Sequence, residues 1–331
     1  MSIVNNSSSA VAFNTGALSA RAVTKTIRDA YGDALVKYGA LNTNVVALDA
    51  DASNSTKSVK FAQAFPERFF NVGIAEQNMM GMAAGLAAAG KIPFVNTFAI
   101  FLCTLGSLSA RSLIAYSGLN VKLMGAYGGL SDAFDGASHH AIEDLAVFRA
   151  IPGFRVFVAS DAAITDWLVK TAINEDGPMY IRLSREAMPG VYSDDERFEI
   201  GKGKIVREGT DATLFACGLM VSEGLKAAAA LAGEGVSLRV VDLFTIKPID
   251  RELILRCAEE TRAIITAEEH NILGGLGGAV AEVLATGGAQ AKLEMVGVRD
   301  VFTETGPYAQ LLRKFDIDAQ AIVAAVKRAL T

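Results

Sequence analysis

Short apolar runs alternate with longer amphipathic stretches along most of the chain, and this alternation predicts strands interleaved with helices. A helix over 23–38 leads into NVVALDAD, a short apolar strand that ends on two acids. The 69–90 segment then reads as helix, KIPFVNTF as strand, 105–116 as helix and VKLMGAYGG as strand. Beyond a loop come a helix in IEDLAVFRAI, a strand in RVFVAS, a helix over 161–174 and a strand in PMYIRLS. Such repetition implies an α/β fold with a doubly wound, mostly parallel sheet covered by helices on both faces. The run PGVYSDDERF at 189–198 is acidic and turn-rich, which marks a linker. A second, smaller α/β unit follows, with strands in ATLFACG, SLRVVDLFT and AIITAEE and helices over 221–232 and 279–284. The expected organisation is a flexible arm over 1–20, a first domain over 21–188, a linker over 189–202 and a C-terminal domain over 203–331. Sheets of this type bind ligands beyond the carboxyl ends of their strands, so chemistry is expected in the loops after ALDAD, FVNTF and LMGAYGG.

With 331 residues, 51% of them apolar and 20% charged, the chain has ample material for a core and falls among globular proteins. Its net charge of −5 argues against nucleic acid or an anionic membrane as the main partner. Any anion it binds must therefore meet a local group of arginines. No uninterrupted apolar stretch reaches the ~18 residues of a membrane span. Residues 1–20 carry no charge, whereas a secretory signal opens on Lys or Arg before a longer apolar core. Cys103, Cys217 and Cys257 lie far apart without a CxxC pair, which suits a reducing cytoplasm. His139, His140 and His270 form no evident metal site.

Glu76 is the lone charge in FFNVGIAEQNMMGMAAGLAAAG. Two explanations are open. An acid is favoured in the first turn of a helix; alternatively, an apolar setting keeps a carboxyl hydrogen-bonded and sharing a proton. In DAFDGASHHAIED, Asp135-Gly136 signals a turn and Ser138 is a candidate helix cap. His139 lies four residues past Asp135, so the two are a candidate acid–base pair, with a structural turn as the alternative. Arg28 falls on the first helix, while Arg182 and Arg185 fall in YIRLSRE at a strand end. Their planar forks suit phosphate, although surface ion pairing is the commoner fate of arginine. NILGGLGGAV lacks the G-x-G-x-x-G spacing of a dinucleotide loop and follows EEHN, so tight packing at a helix start explains it better. Phe98 and Phe101, three apart, share a helix face if helical, for core packing or as a platform for a flat ring.

NVVALDAD, FFNVGIAEQNMMG, TF-x-x-F, DGASHH-x-IED and LSRE occur in an order that resembles the carboxy-terminal half of transketolase, over residues 22–330. The resemblance implies a pyrimidine-binding domain followed by the family's C-terminal domain, with thiamine diphosphate as cofactor. The family's other half carries a GDG motif that serves the diphosphate and its magnesium. No GDG occurs here, so the resemblance implies a split transketolase whose diphosphate and magnesium ligands stand on a separate N-terminal subunit, in a heterotetramer. By position, Glu76 matches the glutamate that hydrogen-bonds a ring nitrogen of the aminopyrimidine and so activates the cofactor. Phe98 and Phe101 match rings that pack on the pyrimidine, and Asp51 an acid near the cofactor. His139 matches a substrate-binding histidine and Asp135 an acid that contacts a donor hydroxyl. Arg28, Ser55 and Arg185 match the group that binds the phosphate end of a sugar phosphate. Two positions depart from the family pattern: His140 stands where Gln is usual, and Tyr127 where a His is usual. A tyrosine keeps a hydrogen bond there but loses a possible positive charge. The expected activity is transfer of a two-carbon ketol unit from a ketose phosphate to an aldose phosphate. The alternatives are the β subunit of a 2-oxo-acid dehydrogenase and a non-catalytic partner with the same fold.

Overall fold

The computed structural model describes residues 25–331 except 188 and 194. The arm expected over 1–20 lies outside the described residues, as do 23 and 24, where the first helix was expected to begin. That helix is seen from Ile27 to Gly39, and Thr26 caps it, its Oγ1 accepting from Asp29 N at 3.1 Å.

Strands Val45–Asp49 (β1), Phe69–Asn71 (β2), Ile92–Phe98 (β3), Lys122–Ala126 (β4), Arg155–Val158 (β5) and Met179–Arg182 (β6) come first along the chain. Lys204–Arg207 (β7), Ala212–Ala216 (β8), Leu238–Asp242 (β9), Thr245–Lys247 (β10), Ala263–Asn271 (β11) and Lys292–Val298 (β12) follow. They make a seven-stranded sheet, ordered β10-β5-β6-β4-β3-β1-β2, and a five-stranded one, ordered β12-β11-β8-β9-β7. Each is parallel except at one edge, where β10 and β7 run antiparallel to their neighbours. Every residue of β1 and of β4 is buried, Asp49 and Lys122 included, so apart from these two terminal charges the strands read as apolar runs rather than as an alternation. The mostly parallel α/β architecture in two sheets is the one the pattern predicts.

Several elements differ from their sequence expectation. The 69–90 segment is not helical throughout: its first residues form β2, parallel to β1, and the helix starts only at Glu76, running to Ala88. SLRVVDLFT is two strands serving different sheets. Residues 238–242 form β9 of the second, whereas residues 245–247 cross over and cover the β5 edge of the first. The helix expected over 105–116 starts at Ser107 and changes from α-helical (Ser107–Ser109) to π-helical (Ala110–Ala115). EEHN does not precede the glycine loop as a separate piece; it is the end of β11. The glycines there allow tight packing at a helix start. Glu268 accepts from Leu276 N at 2.6 Å and Gly277 N at 2.8 Å, and a Cβ on Gly275 would lie 2.0 Å from Glu268 Oε2. An internal carboxylate thus fills the place a phosphate would take at that helix end.

Arg182 is not free to bind an anion. It lies at the end of β6, buried, with Nε 3.1 Å from Asp144 Oδ2 and Nη2 donating to Ala141 O and Glu269 O, both at 2.7 Å. Tyr180, stacked on Phe148, donates to the same Asp144 oxygen at 2.5 Å. Arg182 therefore joins β6 of the first sheet to β11 of the second through the loop before the helix Asp144–Ala150. Asp144→Ala would leave a buried guanidinium without its counter-charge. The expected loss is about 3–5 kcal/mol of stability, read as a lower urea midpoint, with Asp144→Asn intermediate.

Candidate active site

The parallel register aligns the carboxyl ends of the first sheet: Asp49 pairs with Asn71 and Asn96, Phe98 with Ala126, and Gly125 with Arg182. Asp51, Glu76, Phe98, Tyr127 and Arg185 all lie at or just beyond these ends, where an open α/β sheet presents its ligand crevice.

Phe98 is not helical. It closes β3, and Phe101 belongs to the following helix Ala99–Thr104. The strand-to-helix turn still brings their rings together, with centroids 5.8 Å apart and planes 21° from parallel. His139 sets its ring edge against both, at 5.8 Å from Phe98 and 5.3 Å from Phe101. Tyr127 closes the other side, 4.7 Å from the Phe98 ring. Arg28 Nη1 donates to Tyr127 Oη at 2.6 Å and reaches the Ser55 carbonyl at 3.5 Å, so Ser55 enters through its backbone. The Arg185 guanidinium lies 5.2 Å from the Tyr127 ring centre. Seven of the residues singled out in the sequence, Arg28, Ser55, Phe98, Phe101, Tyr127, His139 and Arg185, thus form one contiguous group.

Glu76 and Asp51 stand at the same edge without joining that group by any hydrogen bond or ion pair among the described residues. Glu76 is the first residue of its helix and is 5% exposed. Among the described residues its carboxylate has no hydrogen-bond donor, an arrangement that a bound polar group would complete. Asp51 is exposed and accepts from Asn71 Nδ2 at 2.9 Å. Both Asp51 and Tyr127 have left-handed backbones, φ 62° and 59°. This conformation costs a non-glycine residue roughly 1–2 kcal/mol, and such strain concentrates at functional sites.

The loop after β4 departs from expectation. No hydrogen bond or ion pair among the described residues joins Asp135 to His139; His139 Nδ1 meets Ser138 Oγ at 2.9 Å instead. Ser138 is not a cap, because the next helix begins only at Asp144 with Glu143 before it. Asp135 faces Asp132, whose carboxyl is pushed up to about 7, chiefly by burial, with the Asp135 charge adding and Arg185 opposing. Sequence reasoning missed Asp132 and also Thr303. The latter holds the buried His140 through a 2.7 Å contact between its Oγ1 and Nδ1. Gly136, at φ 76°, lets the loop lie against Thr305: a Cβ there would come within 2.4 Å of the threonine Oγ1. The Asp-Gly turn was the one sequence signal of that approach.

A separate cavity lined by Tyr192, Lys202, Lys204, Asp250 and Glu252 contains none of these residues. Its lysines are already paired, Lys204 with Glu196 and Lys202 with Glu252. Several large apolar side chains are exposed on or next to the mutually contacting helical stretches Glu76–Ala88, Ser107–Ser109 and Ala110–Ala115: Ile74 (82% exposed), Met82, Leu105, Leu108 (71%), Leu113 and Tyr116 (91%). No helix among the described residues is long and apolar enough to cross a membrane.

A model of the transketolase pyrimidine-binding domain matches residues 23–190, and one of the transketolase C-terminal domain matches residues 201–322. The chain belongs to the transketolase family. It is 42% identical over 303 residues to the 6-deoxy-6-sulfo-D-fructose transketolase subunit SqwH of Clostridium sp., covering 90% of this chain and 92% of that one. Transketolase of Rattus norvegicus is 40% identical over 308 residues, which make up 92% of this chain and 49% of the rat protein. Among solved structures, a split-gene transketolase described as an inactive β4 tetramer superposes with a TM-score of 0.84 at 50% identity, over 92% of this chain and 97% of that one. The chain is thus a transketolase C-terminal section, and the family implies thiamine diphosphate as cofactor.

Proposed function

We propose that this chain is the C-terminal subunit of a two-subunit transketolase, which moves a two-carbon ketol unit from a ketose phosphate to an aldose phosphate. One observation carries the reading: a glutamate only 5% exposed, whose carboxylate has no donor among the described residues, stands at the same sheet edge as a wall of aromatic rings flanked by two arginines. This combination fits a flat pyrimidine bearing a basic nitrogen and, beyond it, a sugar with an anionic end. Thiamine diphosphate supplies an electron sink that lets the bond beside a ketose carbonyl break and re-form on an aldose. Glu76 would hold the pyrimidine ring nitrogen and share its proton, while Phe98 and Phe101 exclude water from the ring and fix its plane. Asp51 would stand near the cofactor. His139, with Nδ1 engaged by Ser138, has Nε2 left to hold a substrate hydroxyl, and Asp135 would take a second. Arg28, Arg185 and Tyr127 make up the anion end, with Ser55 beside it, its carbonyl accepting from Arg28. Tyr127 accepts from Arg28 rather than adding a charge of its own.

Diphosphate and magnesium would be held by a separate N-terminal subunit, in a heterotetramer in the cytoplasm. The SqwH relative is named as a subunit, and the split-gene structure is named as an inactive assembly of β chains alone; both support division of labour between two chains. The exposed apolar side chains on the Glu76 helix and on the helical stretches packed against it are of the kind that a permanent partner covers.

The decisive assay combines the chain with its diphosphate-binding partner, thiamine diphosphate and magnesium, and follows ketol transfer between phosphorylated sugars. Removing the donor's phosphate should lower kcat/KM about 10²-fold, as expected when charge-assisted hydrogen bonds to arginine are lost. An unchanged kcat/KM would remove Arg28 and Arg185 from the substrate site. Decarboxylation of a 2-oxo acid in place of ketol transfer would assign the chain to the 2-oxo-acid dehydrogenases instead.

A further inference from the structure

The two arginines at the anion end are not equivalent. Arg28 has no carboxylate within ion-pair distance among the described residues, and its Nε is buried without a partner. Arg185 is held. Its Nη1 lies 3.0 Å from Oδ1 of Asp132 and 3.4 Å from the Asp132 carbonyl, and the Asp132 side chain has no exposed surface. Arg185 N donates to Ser131 Oγ at 3.1 Å, and Ser131 Oγ donates in turn to Gly128 O at 2.7 Å. The turn after β4 therefore wraps the base of Arg185 and sets a buried carboxyl against its guanidinium, one that carries its charge above about pH 7. The second oxygen, Asp132 Oδ2, is buried and receives no hydrogen bond among the described residues. Of the two guanidiniums only that of Arg28 lacks a carboxylate partner, and with Asp135 facing Asp132 the group around Tyr127 carries at most one net positive charge.

We propose that Asp132 is a specificity-determining residue acting through Arg185: it occupies one of the two guanidiniums, so that a doubly charged terminal phosphate gains little over a singly charged terminal group. The proposal rests on the assignment of Arg28 and Arg185 to the substrate's anionic end. A sulfonate is the natural probe, because it matches phosphate in tetrahedral shape and differs by about one charge above the phosphate's second pKa of ~6. An uncompensated arginine pair would favour the dianion strongly. One arginine neutralised by a buried acid removes most of that preference.

The test uses the assembled two-subunit enzyme at about pH 8, where both Asp132 and the phosphate are ionised. Two ketose donors alike except for a terminal phosphate or sulfonate are compared by kcat and KM. The wild-type ratio of kcat/KM, phosphate over sulfonate, should lie within about threefold of unity. Asp132→Asn keeps the shape and one acceptor oxygen but removes the charge. It should raise the ratio about tenfold through KM, the equivalent of one charge-assisted contact. Asp132→Ser, smaller and uncharged, should move the ratio the same way if the asparagine variant fails to fold. A merely structural Asp132 would move KM for both donors in proportion, and an unchanged ratio in the folded variants overturns the proposal. Absence of ketol transfer from every donor in the wild-type enzyme would instead overturn the underlying functional reading.

Discussion

Glu76→Ala in the assembled enzyme is expected to slow exchange of the thiazolium proton of bound thiamine diphosphate by about 10³-fold or more, within the range for loss of a positioned proton-transfer group. Glu76 is buried at the first position of its helix, and no residue described in the structure donates to it. A carboxyl so placed is costly unless something completes its hydrogen bonding, and a basic ring nitrogen does so by sharing a proton. Glu76→Gln separates the two parts of that role. The amide can still hydrogen-bond the ring, so cofactor affinity should fall by no more than about threefold, but it cannot share a proton, so exchange should fall nearly as far as in the alanine variant. A glutamate that only starts a helix predicts the opposite result. Its removal would cost about 0.3–1 kcal/mol of stability and leave exchange near normal. Exchange within a few-fold of wild type in Glu76→Ala would therefore return this residue to a structural role.

The same helix start shows what the sequence could and could not convey. The place of the site was legible because buried parallel strands leave apolar runs whose ends emerge at one edge of the sheet, whereas Glu76 stood out as the lone charge of its segment and Tyr127 only through the family resemblance. Arg182 and Arg185 looked alike in YIRLSRE. Their different fates depend on partners far along the chain, Asp144 with Tyr180 for the first and Asp132 for the second, and no local spacing announces either. Asp132 itself lies among small turn residues, where an acid is ordinary; its burial comes from the packing of the turn. Thr303 and Thr305 were equally hidden, since they approach the His139 loop from the second sheet's side of the chain. The edge strand β10 escaped notice for another reason. Two residues separate it from β9, so one apolar run carried two strands into different sheets.

The chain on its own is expected to show no ketol transfer and no saturable binding of thiamine diphosphate at millimolar concentration, and both should appear when the diphosphate-binding subunit is added. The 331 residues contain no GDG motif to receive the diphosphate and its magnesium, and these are the most strongly charged parts of the cofactor. What the chain does offer is a wall of rings and one carboxyl, facing a part of the ligand too small to hold the whole molecule against the several kcal/mol cost of association. Ile74 precedes the Glu76 helix, and the exposed Leu108, Leu113 and Tyr116 lie on or next to the helical stretches that pack against it. A partner seated there would enclose the pyrimidine end while presenting the diphosphate site. Leu108→Asp would place an unpaired charge in that interface and should weaken subunit pairing by at least about 100-fold. Leu108 is 71% exposed, so the variant's thermal midpoint should stay near wild type, and sedimentation of the mixed subunits separates lost pairing from lost folding. Robust turnover from the isolated chain would sink the two-subunit reading outright, because every catalytic group, the diphosphate site included, would then have to lie within these residues.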